Sequence, residues 1–290
     1  MTAAPGPIEP TKTTTIPVRG GALYAETFVP KSSPLGVVLV THGYAEHCGR
    51  YHEVAHAIVN EGWAALTYDV RGHGKSPGAR GAIDRFETYL EDFRAAHAAA
   101  RALVADAPLA LLGHSHGSLI VLRALCDDRP PEAACAILAS PYLALRMAVP
   151  GYKNVLARVA SRVAPNLAQP NQLKVEQLTS DPGKQDEWRA DKLNFGIARA
   201  RWFTEVVGAQ EYVERHADRI TLPTTWLVGG ADPVCDPAAS RRVASRVRRA
   251  VYHDLVGMKH EVFNEVDRAR VFAEMAKALG ACTAAKAESA

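Results

Sequence analysis

The most constraining stretch of this chain is Leu109–Leu122, LALLGHSHGSLIVL. An apolar run leads into Gly113-His114-Ser115-His116-Gly117, and a second apolar run follows without a break. The first run suits a short buried strand and the second a helix. The G-x-S-x-G between them suits a very tight strand-to-helix turn, with glycine where side chains would collide as the chain reverses. Ser115 is expected at its tip in a strained conformation, hydroxyl exposed, with the helix N-terminus beneath it. The pentapeptide alone also fits a Gly-rich turn that merely contains a serine, so the context must come from elsewhere.

That context is an alternation of strands and helices. Residues 1–15 are Pro- and Thr-rich with little apolar content, and disorder is expected there. Residues 16–29 read as an edge hairpin about Gly20-Gly21, and 37–40 as a buried strand ending at His42-Gly43. A helix is expected over 51–62 and a strand over 64–68, which runs into the loop Asp69–Ser76. Asp84-Arg85-Phe86-Glu87 resembles a capping box opening a helix with Phe86, Tyr89, Leu90 and Phe93 on one face. Strands are then expected at 135–139, 224–228 and 250–255, with a final helix over about 265–279 and a frayed tail over 281–290. Short apolar strands alternating with helices predict an α/β fold, a mostly parallel sheet covered on both faces, in one domain spanning 16–280.

Residues 142–209 interrupt the alternation and are read as a cap inserted after the sixth strand. Within them Tyr152, Val155, Leu156, Val159 and Val163 recur at helical spacing, with Lys153, Arg158 and Arg162 mainly elsewhere on the wheel. Such a helix either lies transiently on a lipid surface or packs on the body with a solvated basic face.

Composition excludes several classes. The chain has 290 residues, 34 basic and 31 acidic, a net charge of +3 that gives no footprint for nucleic acid. No apolar run is long enough to span a membrane, and the N-terminus has neither the basic start nor the apolar core of a signal peptide. Five scattered cysteines without a CxxC argue against a disulfide framework or a zinc site, and for the cytoplasm, with membrane association at most peripheral. No metal cluster or phosphate-binding glycine loop is found, so no cofactor is expected.

A serine hydroxyl needs a neighbouring base, and the base needs an orienting acid. When a serine sits on a strand-to-helix elbow, these follow in the order Ser, Asp or Glu, His. Asp232 lies just past the strand at 224–228, where functional residues of open α/β sheets gather. Its competitor Asp236, before Pro237, reads better as a helix N-cap, and Asp254 falls within a strand. Of the eleven histidines, His260 follows the last strand and precedes the last helix, which makes it the candidate base. The backbone N–H groups of Tyr44 and His116 are the expected oxyanion donors. Cys235 is either an oxidisable thiol near the site or a small buried hydrophobe.

With these residues assembled, the chain resembles the monoacylglycerol lipase and lysophospholipase-like branch of the α/β-hydrolases from about Leu35 to Leu279. The carriers are His42–Tyr51, similar to HGxxEHxxRY; Asp69–Ser76, similar to D-x-x-GHG-x-S; and Gly229–Asp236, similar to G-x-AD-x-x-CD. The resemblance implies a serine ester hydrolase acting on small acyl esters such as monoacylglycerols or lysophospholipids. A general esterase of short acyl esters, or peptidase or acyl-transfer chemistry on the same residues, stays open beside it. It also implies that Glu46 and Arg50 bind the alcohol part of the substrate; the other reading makes them an internal ion pair bracing the oxyanion loop. His73 is expected to be a structural hydrogen-bonding residue. The chain departs from the usual GHSMGG at His116 and Ser118, has Tyr44 in place of a small residue and Phe263 in place of a polar one. The expectation is a bulkier, more polar site mouth.

Overall fold

A computed structural model describes residues 4–104, 106–146 and 151–287. Its centre is an eight-stranded sheet formed by β1 (Lys12–Val18), β2 (Gly21–Phe28), β3 (Val37–Thr41), β4 (Ala64–Tyr68), β5 (Leu109–His114), β6 (Cys135–Ala139), and two late strands described below. Between them run α1 (His52–Asn60), α2 (Phe86–Leu103) and α3 (His116–Leu125). After β6 the chain leaves the sheet. It forms α4 (Gly151–Val163), β7 (Ala168–Pro170), α5 (Val175–Leu178), α6 (Pro182–Ala190), β8 (Ile197–Arg199) and α7 (Ala200–His216). It returns with β9 (Thr224–Gly229), α8 (Pro237–Ala244), β10 (Ala250–Leu255) and α9 (Arg268–Ala287).

The strand order is β1-β2-β4-β3-β5-β6-β9-β10. The β1–β2 and β2–β4 pairs are antiparallel and the others parallel. In β3 the side chains alternate between two cores. Val37 and Leu39 join the layer under α2, α3, α7 and α8, whereas Val38 and Val40 join the layer under α1 and α9. Every residue of β3, β4, β5 and β6 is buried, which is why these strands read as unbroken apolar runs.

The structure corrects four expectations. β1 begins at Lys12, inside the segment expected to be disordered, because the hairpin pairs in register back to Lys12–Thr27. Asp84 does not cap α2. The N-cap is Arg85, whose side chain makes no cap bond, and the Phe86 N–H donates instead to Glu205 Oε2 of α7 at 3.0 Å. The last helix runs to Ala287, through most of the tail expected to fray, and Cys282 within it forms a disulfide with Cys135 at the start of β6. That bond also overturns the all-thiol reading of the cysteines; Cys48, Cys126 and Cys235 are free and buried.

α4 packs on α7 through buried Ser161, whose hydroxyl shares a 2.8 Å hydrogen bond with that of Thr204. The opposite face carries Leu156, Val159 and Val163, which are 61%, 51% and 76% exposed. So the apolar stripe points away from the body. The side chains of Tyr152, Lys153 and Val155 lie outside the described residues. Among the described residues no helix is long and apolar enough to cross a membrane.

Candidate active site

Ser115 sits between β5 and α3 with φ 51° and ψ −115°, a conformation costing about 1–3 kcal/mol for a residue with a side chain. The surroundings hold it there. Its N–H donates to Ala139 O (2.9 Å) on the next strand, and its carbonyl accepts the N–H groups of Leu119 and Tyr142 (3.1 Å each). A Cβ on Gly113 would come within 2.6 Å of the Ser118 backbone, and one on Gly117 would collide with the carbonyls of Thr41 and His42. The first glycine thus serves the turn itself, and the second lets the helix approach β3.

His260 lies between Ser115 and Asp232. Its Nε2 is 2.9 Å from Ser115 Oγ, and its Nδ1 is 2.7 Å from Asp232 Oδ2. All three are buried, Ser115 most open at 7%. The other carboxylate oxygen, Oδ1, accepts the N–H groups of Val234 (2.8 Å) and Cys235 (3.0 Å), which aims Oδ2 at the ring. Burial pushes the His260 pKa down, but the neighbouring Asp232 carboxylate outweighs it and holds the imidazole well above its ordinary value. Asp236 caps α8 by accepting the Ala238 N–H, as its sequence position before proline suggests.

The loop carrying His260 is fixed from two sides. Gly229, at the end of β9, lies against it so closely that a Cβ would collide with Lys259 O. On the other side the Glu261 N–H donates to Leu178 O of α5 (2.7 Å), and Thr179 Oγ1 donates to Asn264 O (2.7 Å). The short helix α5 therefore positions the candidate base, a tie that no sequence motif announces.

The proposed oxyanion donors belong to the residue after Ser115 and to the loop after β3, whose Gly43 lies against Ser115. His116 opens α3, where a helix leaves its first N–H groups without intrahelical acceptors. Tyr44 lies in the loop after β3, next to Ala45 with φ 66°. Glu46 braces this loop. Its Oε1 accepts the Gly43 N–H (2.6 Å) and the Tyr51 hydroxyl (2.7 Å), and its Oε2 accepts Arg50 Nε (3.1 Å). Arg50 then reaches Glu261 Oε2 at 2.6 Å. Burial opposes the Arg50 charge, but Glu261 and then Glu46 outweigh it and raise its pKa. These contacts match the bracing alternative more closely than an open alcohol pocket. A cavity of about 140 Å³ nevertheless adjoins Arg50, Asp191 and Asn264.

The departures at 116 and 118 lie behind the site, not at its mouth. Ser118 is buried and donates to Gly113 O (2.7 Å), stitching the elbow. His116 is buried among Tyr89, Phe86, Trp202 and Tyr44, and burial pushes its pKa down to about 3, so the ring is neutral. His73 donates through Nδ1 to Arg71 O (3.0 Å). Asp69 accepts the N–H groups of Cys48 (2.8 Å) and Lys75 (2.7 Å), which fixes the GHG loop against the oxyanion loop.

Among the described residues, the donor atoms of Asp232, Cys235 and His260 lie within 4.8 Å of one another. Asp232 and His260 are already hydrogen-bonded, so the cluster is an acid–base pair with a thiol beside it. Burial pushes the Cys235 thiol up, away from the reactive thiolate, consistent with a small buried hydrophobe.

Residues 32–267 match a family described as serine aminopeptidase, S33. The chain is 32% identical over 259 residues to a monoacylglycerol lipase of Mycolicibacterium smegmatis, covering 87% of this chain and 90% of that one. It is 27% identical to the phospholipase YtpA of Bacillus subtilis, covering 82% and 93%. The crystal structure of a Paleococcus ferrophilus monoacylglycerol lipase superposes with a TM-score of 0.81 at 28% identity, covering 90% of this chain and 99% of that one. With these similarities spanning sheet, cap and both late loops, the chain belongs to the serine aminopeptidase S33 family of α/β-hydrolases.

Proposed function

We propose that this carboxylic ester hydrolase cleaves monoacyl esters of a polar alcohol, of the monoacylglycerol or lysophospholipid kind, through an acyl-enzyme on Ser115. The observation that carries the reading is the hydrogen-bonded run Ser115 Oγ, His260 Nε2, His260 Nδ1, Asp232 Oδ2 at 2.9 and 2.7 Å. Ser115 Oγ adds to the ester carbonyl carbon while its proton passes to His260 Nε2. The Tyr44 and His116 N–H groups receive the charge that develops on the carbonyl oxygen. Collapse expels the alcohol, which takes the proton from Nε2. Water, deprotonated by the same nitrogen, then releases the acid and restores Ser115. Asp232 keeps Nδ1 protonated and stabilises the imidazolium.

The names of the relatives favour a lipid substrate over a peptide: one is a monoacylglycerol lipase and another a phospholipase. The exposed stripe Leu156, Val159, Val163 and Leu167 favours action at a lipid surface over that of a general soluble esterase. Ser115→Ala tests the reading. Hydrolysis of a monoacylglycerol should fall by on the order of 10⁶-fold, with labelling by an organophosphonate lost. Turnover at the wild-type rate would overturn it. Added amines or alcohols that divert the acyl group from water would assign transfer chemistry instead.

A further inference from the structure

The Tyr44 side chain has no task in the mechanism above, which uses only its backbone N–H. We propose that this side chain latches the cap onto the oxyanion loop and so sets the length of acyl chain the site accepts. The inference rests on the ester-hydrolase reading of Ser115 and narrows its substrate.

Tyr44 is held by the cap at several points. Its hydroxyl donates to Ile197 O of β8 at 2.8 Å. Its ring stacks on Trp202 of α7, with centroids 3.8 Å apart and planes 27° from parallel. Phe195 meets it edge-on at 5.4 Å, and the next residue, Ala45, accepts the Phe195 N–H at 3.1 Å. The body makes room for this arrangement. Gly81, at φ +63°, lies where any side chain would collide with the Tyr44 hydroxyl. Two consecutive residues of the oxyanion loop thus grip three residues of the cap.

The grip reaches the elbow, on the side that this proposal assigns to the acyl chain. Tyr142 donates its N–H to the Ser115 carbonyl, and its ring lies 21° from parallel to Trp202 at 6.4 Å. Tyr142, Trp202 and Tyr44 therefore form a roof of rings from the elbow to the oxyanion loop. A carbonyl oxygen held by the Tyr44 and His116 N–H groups leaves its acyl chain pointing from Ser115 under this roof. On this reading a short acyl group is accepted with Tyr44 in place. A long one enters only when the ring moves, which sacrifices the bond to Ile197 and the stack on Trp202.

The test compares kcat/KM for p-nitrophenyl butyrate and p-nitrophenyl decanoate, both below their aggregation concentrations. It uses the wild-type chain, Tyr44→Phe and Tyr44→Ala. All three keep the backbone N–H, and the ratio cancels any general loss of activity. Tyr44→Phe removes one neutral hydrogen bond and should raise the decanoate-to-butyrate ratio by up to about fivefold. Tyr44→Ala also removes the stack and should raise it by roughly tenfold or more. A ratio that stays or falls in both variants overturns the proposal, as does an unchanged ratio in Tyr44→Phe if the alanine variant does not fold. If the wild-type chain hydrolyses neither ester in a Ser115-dependent way, the failure belongs to the ester-hydrolase reading and not to the latch.

Discussion

Arg50 Nη2 bonds Glu261 Oε2 at 2.6 Å, so an ion pair with little side-chain exposure at either end joins the loop after β3 to the residue beside the candidate base. Glu46 completes a chain from Gly43 through Arg50 to Glu261. Removing the central cation leaves two buried carboxylates facing each other. Arg50→Met should therefore destabilise the fold by about 3 kcal/mol in chemical denaturation. If the pair is a brace, activity on a monoacylglycerol and on a p-nitrophenyl ester should fall in parallel. A loss confined to the glycerol ester would instead make Arg50 a contact for the alcohol.

The base function proposed for His260 needs the neutral ring, and Asp232 raises its pKa well above the ordinary histidine value against the effect of burial. Lowering the pH protonates Nε2 and blocks transfer from Ser115. The acid limb of kcat/KM should therefore lie above pH 6.5. Asp232→Asn removes the raising charge but leaves the burial. The limb should shift to lower pH while the plateau drops by about 10⁴-fold. A wild-type limb at or below pH 6.5 would contradict the electrostatic account.

Gly229 offers a sharper geometric test. Its Cα faces Lys259 O, and a methyl group there would collide with backbone rather than with a flexible side chain. Gly229→Ala should push the His260 loop outward and lower kcat by roughly 10²-fold, the scale of a 1 Å misplacement. The KM for a small ester should change much less. Equal effects on both constants would indicate general loosening.

The sheet, elbow and late loops were legible in the sequence because each is dictated locally. Buried parallel strands leave unbroken apolar runs, and the elbow leaves Gly113 and Gly117 at fixed spacing. Asp232 and His260 were reachable through chain order, since each follows a strand. What escaped were long-range relationships between residues with no shared spacing. Glu205 caps α2 across 119 positions, and Leu178 holds the His260 loop from an insertion with little pattern of its own. His116 and Ser118 were misplaced to the mouth for a related reason. Both side chains turn into the body where α3 packs, His116 among Phe86, Tyr89 and Trp202 and Ser118 against Gly113 O. The pairing of Cys135 with Cys282 is likewise fixed only by where α9 packs.

That disulfide joins the start of β6 to the last helix across 147 positions. Ser115 lies at the other end of the neighbouring strand, beside Ala139. Reduction, or Cys282→Ser, should lower stability by about 3 kcal/mol through the unfolded chain. The kcat/KM for a small ester should remain unchanged. A matching loss of activity at temperatures where the protein stays folded would show that α9 supports the site directly.

The exposed stripe on α4 yields the final prediction. Ser161 anchors the helix to α7, so Leu156, Val159 and Val163 face outward, and Leu167 continues the apolar surface at 46% exposure. Exposed Arg158 and Arg162 flank them on the same helix. An isolated apolar side chain on a surface means little, but several aligned on one helix with basic flanks suit the boundary of an anionic bilayer. The wild-type chain should co-sediment with vesicles containing phosphatidylserine, more weakly with neutral ones. Val159→Asp with Val163→Asp places two carboxylates on the stripe without touching the α7 contact. This variant should lose vesicle binding and the rate increase on aggregated monoacylglycerol, yet hydrolyse a dissolved short ester at the wild-type rate. The two substrates separate docking from chemistry. Equal rates on both for the wild-type and the double variant would show that α4 meets substrate in solution, and that its stripe serves something other than a lipid surface.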